Sequence, residues 1–334
     1  MIENYLYDVK RGGQDRDTFL SKKMTLQLKG IAILMVFASH IPQVANLPTG
    51  VANLLAPMGY HGVAIFLFLS GYGCYISLEK NQDIAKFIEK RARAILPSLI
   101  VATVIAAIVD YIVNGIPCSS LELILNSLGL SHGILQLTWY IEFQYFCYIA
   151  SCVISKFIKC EHRVVSFVVL AIVIYILSVT VHGANLWGLN YASYSIGMCV
   201  ALYRKRILKF VNSCSRCKML CIFTGLLFLW IGLFGATYFF WHNPTESVPR
   251  NILKGTISAV FVFVLCSMIG LVKPKTCRLL EYIGTIAYEV YLIHGIFVFV
   301  IPTVLNNSLF CVTLMLLFSV FMASITKRVE SRFL

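Results

Sequence analysis

Lys29 and His40 lie in one apolar stretch, KGIAILMVFASH, eleven residues apart. In an α-helix eleven steps of about 100° return to within roughly 20° of the starting direction while rising about 16 Å. One helix face therefore carries an ammonium and an imidazole at two depths. If this helix crosses a bilayer whose hydrocarbon core is about 30 Å thick, Lys29 sits near one water interface and His40 lies well inside. An ionisable group at that depth is a functional candidate by default. Neutral imidazole acts as a base or a nucleophile near pH 7, which makes His40 the first residue to test for chemistry. Two further apolar stretches carry ionisable groups: TWYIEFQYF holds Glu142, and YIGTIAYEVYLIHGIF holds Glu289 and His294. In the second, Tyr288, Tyr291 and His294 follow at three-residue steps and share one helix face. Buried groups of this kind suit an enzyme and a proton-coupled transporter equally.

The elements that must position these residues follow from composition. The chain has 334 residues, 59% hydrophobic and 13% charged, with a mean hydropathy of +0.81. Soluble domains carry roughly 25% charged residues. Long apolar runs recur from near residue 24 to residue 326 without the alternation of barrel strands, and each must satisfy its backbone internally, so the spanning elements are helices. The expected fold is all-α, a polytopic bundle of about ten transmembrane helices at 25–46, 57–78, 94–113, 135–157, 164–181, 185–203, 219–241, 252–272, 280–301 and 305–326. It leaves an N-terminal tail at 1–24, one membrane domain at 25–326 and a C-terminal tail at 327–334.

Lys and Arg fix an orientation for that bundle. The N-terminal segment through Lys29, the loops at 79–93, 156–163, 204–218 and 273–278, and the C-terminal tail together hold 26 of the 28. Only Arg250 and Lys254 fall on the opposite side, so the positive-inside rule places both termini in the cytoplasm. The net charge of +13 is thus mostly a topology signal, and no nucleic-acid partner is implied. The polar N-terminal segment lacks the apolar core of a cleavable signal peptide. Most of the twelve cysteines fall within helices, and the Cys214/Cys217 pair has no second pair or nearby His to complete a zinc site, so no metal is expected. Trp139, Trp187 and Trp241 fit interfacial anchors, while His132, His162, His182 and His242 read as solvated loop or interface residues.

Four segments in order, KGIAILMVFASH at 29–40, FLFLSGYG at 66–73, KFIEKRARAILP at 86–97 and YIGTIAYEVYLIHGIF at 282–297, resemble the successive signatures of the membrane acyltransferase-3 family. In that family a basic residue, ten intervening residues and a His open the first helix, as Lys29 and His40 do here. The resemblance implies an integral membrane O-acyltransferase that takes acetyl, or another short acyl group, from cytoplasmic acetyl-CoA. The acceptor it implies is a carbohydrate hydroxyl at or across the membrane.

The resemblance distributes roles over the remaining residues. His40 becomes the base that takes the hydroxyl proton or the carrier of the acyl group. Lys29 binds a donor phosphate or polarises the thioester. The cluster Lys86, Lys90, Arg91 and Arg93 before Pro97 reads as an amphipathic interfacial helix that breaks into the third span at the proline, with Arg91 and Arg93 at the CoA mouth. Arg91 keeps the family's place, but Ala94 stands where a second arginine is usual. Ser70 and Tyr72 are candidate donors to the thioester oxygen, beside Gly71 and Gly73, which alternatively serve helix packing. Glu142 is a candidate orienting partner for an imidazole, and Tyr291 and His294 shape the substrate pocket or brace the first helix.

The expectation is therefore a multi-pass protein of a bacterial inner membrane that acylates a cell-surface polysaccharide or lipid-linked glycan. Its partners are acyl-CoA, the glycan acceptor and the bilayer. The rival is a proton-coupled transporter of a small anionic metabolite or sugar, with His40, Glu142 and Glu289 as a relay. That rival predicts inverted repeats or paired broken helices, which the sequence does not display.

Overall fold

The computed structural model describes residues 20–45, 47–181, 185–240, 247–272, 277–299 and 309–333. Most of the expected N-terminal tail, the connections at 182–184 and 302–304, and Trp241 with His182 and His242 lie outside the described residues. Every regular element among the described residues is helical. The α-helices are α1 (Lys22–Val44), α2 (Thr49–Leu55), α3 (Met58–Lys80), α4 (Ile84–Asn114), α5 (Ser120–Ser127), α6 (Trp139–Phe157) and α7 (Arg163–Thr180). They continue with α8 (Ser193–Leu202), α9 (Arg204–Ser213), α10 (Arg216–Phe240), α11 (Ser247–Val272), α12 (Arg278–Thr285), α13 (Ala287–Phe299) and α14 (Leu309–Phe333).

Seven helical segments among the described residues are long and apolar enough to cross a membrane, fewer than the ten expected. The three departures have separate physical causes. The first half of α6 carries Trp139, Tyr140, Glu142, Gln144 and Tyr145, which make it too polar to count by hydropathy alone. The expected span at 185–203 is a 3-10 turn, Asn185–Asn190, followed by the ten-residue α8. Ser258 donates to the Leu189 carbonyl at 2.8 Å, so a side chain satisfies backbone that the break would otherwise leave unpaired. The expected span at 280–301 is divided at Ile286 into α12 and the thirteen-residue α13.

The expected break at Pro97 is absent. α4 runs unbroken for 31 residues through that proline, which lacks only the single N–H that would have bonded the Arg93 carbonyl. Asp83 caps its start by accepting the Lys86 N–H at 3.1 Å, and that donor holds the carboxyl below the usual carboxylate range. Gly115 ends it in the left-handed region, φ 68°, where a side chain would be strained. The basic segment and the third span are therefore one rod, and Arg91 is held in fixed register with Ser98 two turns on.

The chain divides into two compact units. The first comprises residues 1–25, 63–82 and 149–277. Within it α3 and α8 approach closely through small residues: Gly71 lies against the Tyr194 carbonyl and Gly197 against the Phe68 carbonyl, where any Cβ would collide with backbone. Arg204 pairs with Glu79 at 2.6 Å, Arg163 donates to the Tyr75 hydroxyl at 3.0 Å, and the Ser151 and Tyr194 hydroxyls meet at 2.7 Å.

The second unit comprises residues 26–62, 83–148 and 278–334. Gly30 packs on the Leu280 backbone and Gly284 on the Leu26 backbone, so α1 and α12 touch main chain to main chain. Phe37 and Val44 of α1, Val298 of α13, and Cys311 and Met315 of α14 form one buried apolar cluster. Lipid tails are as apolar as these side chains, so the cluster acts by tight packing rather than by escape from water. Its effect is to fix α1, α13 and α14 as a frame, and that frame carries most of the ionisable groups singled out above.

Candidate functional site

Within the second unit the ionisable residues gather at two levels of α1. The level of Lys29 is built around Glu289 of α13, which is 1% exposed. Ser98 of α4 donates to its Oε1 at 3.0 Å, and Lys327 of α14 approaches the same oxygen at 3.1 Å. Lys29 interacts electrostatically with Arg91, Glu289 and Lys327. Lys29 and Lys327 thus share one buried carboxylate, with Arg91 in electrostatic reach of Lys29, and the cations outnumber the carboxylate, an arrangement suited to an anion. Arg91 is held by stacking: its guanidinium lies 5.0 Å from the Phe87 ring centroid and 5.2 Å from that of Tyr148. Arg93, by contrast, pairs with Glu89 on the exposed side of α4. Tyr288 of α13 donates to the Ile95 carbonyl at 3.2 Å, further tying α13 to α4.

The level of His40 is built from rings. His40 and His294 of α13 stand with centroids 5.3 Å apart and planes tilted by 54°. Tyr291 lies 5.7 Å from His294 and 5.3 Å from Tyr140 of α6, also centroid to centroid. Its hydroxyl is committed, donating at 2.6 Å to the Leu137 carbonyl. His40 Nδ1 lies 2.9 Å from Gln43 Oε1, one turn on along the same helix. His294 Nδ1 lies 3.1 Å from the Val290 carbonyl, one turn back. A peptide oxygen only accepts, so in His294 Nδ1 carries the hydrogen and Nε2 the basic lone pair, and with Gln43 presenting Oε1 His40 takes the same tautomer.

Glu142 is placed against a different imidazole from the two in this pair. Its Oε1 lies 3.4 Å from Nε2 of His132, and His132 Nδ1 lies 3.3 Å from the Thr138 hydroxyl. Thr138 in turn donates to the Leu135 and Ser131 carbonyls at 2.7 and 3.0 Å. The loop into α6 is thereby clamped on the side chains it contains, and Leu137 in that loop receives Tyr291. His132 is 38% exposed, so the expected solvated residue is a half-buried partner.

The structure thus brings Lys29 and Arg91 into one cluster, and His40, Tyr291 and His294 into another, with α1 common to both. Ser70 and Tyr72 belong to the first unit, where the adjoining Gly71 serves the contact between α3 and α8. Sequence reasoning missed Lys327, read as the first residue of a tail; α14 continues through it to Phe333. It also gave no task to Glu289 beyond a place in the transporter relay. A buried carboxylate in an apolar helix was signal enough to demand a cation, but its partners come from α4 and α14, far away in sequence.

A family model described as an acyltransferase domain matches residues 27–327. The match begins just before Lys29 and ends on Lys327, so it contains both clusters. No curated protein and no solved structure matches the chain.

Proposed function

The chain belongs to the membrane acyltransferase-3 family, and from that membership we propose that it moves an acetyl or other short acyl group from cytoplasmic acyl-CoA to a hydroxyl of a cell-surface polysaccharide or lipid-linked glycan. The reading includes a bacterial inner membrane and a bundle of about ten crossings with both termini in the cytoplasm. One observation carries it. α1 and α13 each contribute to both the charged cluster, through Lys29 and Glu289, and the imidazole pair, and Lys29 and His40 are about 16 Å apart along α1. A nucleotide thioester has this layout, with its phosphates at one end of a long flexible arm and its reactive carbon at the other.

In this reading Lys29 and Arg91 hold the donor's phosphates, and the arm carries the thioester along α1 to His40. Gln43 fixes the tautomer, so that Nε2 faces the chemistry as a base or nucleophile. Tyr140 and Tyr291 form an apolar wall that keeps water from competing with the acceptor hydroxyl. Transfer of labelled acetyl from acetyl-CoA to surface glycan, in membranes carrying the wild type or His40→Ala, tests the reading. The variant is expected to lose transfer by about 10²-fold or more. Wild-type transfer in the variant removes His40 from the reaction, and labelled-solute uptake without acylation favours a transporter instead.

A further inference from the structure

His294 is fully buried, and its hydrogen bonding stays on its own helix. Nδ1 reaches the Val290 carbonyl, and Nε2 has no hydrogen-bond partner among the described residues. A histidine that braces a bundle uses its two nitrogens to join two elements, as His132 does between Glu142 and Thr138. His294 joins none. Of the rings that pack against it, those of His40 and Tyr291, the Tyr291 hydroxyl is spent on Leu137. The lone pair is therefore kept for a group that arrives with the substrates.

The pair offers two basic nitrogens, one on each ring, and direct transfer to a hydroxyl needs only one. Transfer through the enzyme needs both. Resting on the acyl-transfer reading above, we propose that His40 carries the acyl group covalently and that His294 is the catalytic base that unloads it. In the first step His40 Nε2 bonds to the thioester carbonyl carbon and the carbon–sulfur bond breaks with its electron pair on sulfur. This gives an acyl-imidazolium, whose Nδ1–H remains on Gln43, and a thiolate. In the second step the acceptor oxygen bonds to the acyl carbon, its proton passes to His294 Nε2, and the carbon–nitrogen pair returns to His40. The proton on His294 then goes to the thiolate, so thioester and alcohol become thiol and ester, and both imidazoles are restored.

The test is His294→Phe in the full chain, purified into lipid nanodiscs and given acetyl-CoA labelled in the acetyl group, with rapid quenching. The expected result is release of one equivalent of CoA thiol per enzyme, label on His40 by peptide mapping, and steady-state transfer lowered by about 10²- to 10⁴-fold. Label must be absent from His40→Ala. Turnover by His294→Phe at the wild-type rate overturns the proposal, and so does an inactive His294→Phe that releases no equivalent of thiol. Wild-type transfer by His40→Ala would instead bring down the acyltransfer reading of this site. If His294→Phe does not accumulate, His294→Gln, which stays polar but takes no proton, is measured in the same way with the same two overturning results.

Discussion

The two clusters on α1 and α13 differ in what their polar groups are tied to. Around Glu289 the contacts cross between helices: Ser98 reaches in from α4 and Lys327 from α14. At the level of His40 the two imidazoles reach Gln43 and Val290 within their own helices, while the Tyr291 hydroxyl crosses to the Leu137 carbonyl. The first pattern ties α4 and α14 to α13. The second orients two imidazole rings through bonds along their own helices. On the proposed reading the first region is scaffold and anion site together, and the second holds the reacting imidazoles.

The sharpest way to break this contrast is to compare function with stability at the two levels. His40→Gln is expected to lower acyl transfer by about 10²- to 10⁴-fold, while thermal stability in detergent stays within about 0.5 kcal/mol of wild type. Marked unfolding of this variant would show that the imidazole braces the bundle after all. Glu289→Ala is expected to do the reverse first. It leaves Lys29 and Lys327 without their buried counter-ion and costs about 3 kcal/mol of stability, read as an earlier melting transition. An unchanged transition would mean that the three cations need no carboxylate to coexist.

The next two variants sharpen the claim that the lower cluster holds an anion. Arg91→Ala removes a guanidinium fixed by two aromatic rings and should raise the donor KM about tenfold with kcat little changed. Lys327→Met leaves Glu289 with Ser98 and removes one cation that is 41% exposed; a rise of roughly fivefold in donor KM is expected. If both variants change kcat and leave KM alone, the cluster acts on the chemistry and the division between the levels fails.

Much of the fold was legible because hydropathy alone demands helices, and the depth relation of Lys29 and His40 follows from helix geometry in any tertiary context. What escaped reading depends on contacts between distant residues. The break at Ile286 is set by no proline; α12 is seated where Gly284 meets the Leu26 backbone. The interruption near Asn190 is supported by Ser258 from α11. At Pro97 the local rule pointed the wrong way, because a long helix can lose one hydrogen bond and continue. In the site, His40, His294 and Tyr291 were visible as ionisable or polar groups at helical spacing, whereas the ties of Lys327 to Glu289 and His132 to Glu142 exist only after folding.

Arg91 and Arg93, which spacing leaves equivalent, are set apart by tertiary structure. Two residues apart on a helix, they point about 200° from one another, so they cannot serve the same ligand from the same face. Arg91 faces Phe87, Tyr148 and the Lys29 cluster. Arg93 pairs with Glu89 one turn back, with both side chains more than half exposed, at 65% and 56%. Exposed pairs of this type contribute about 0.3 to 0.5 kcal/mol. Arg93→Ala should therefore leave donor KM within about twofold of wild type and barely move the melting transition. A rise matching that of Arg91→Ala would place the donor on the outer face of α4, away from Glu289, and the anion site would have to be rebuilt around Glu89 and Arg93.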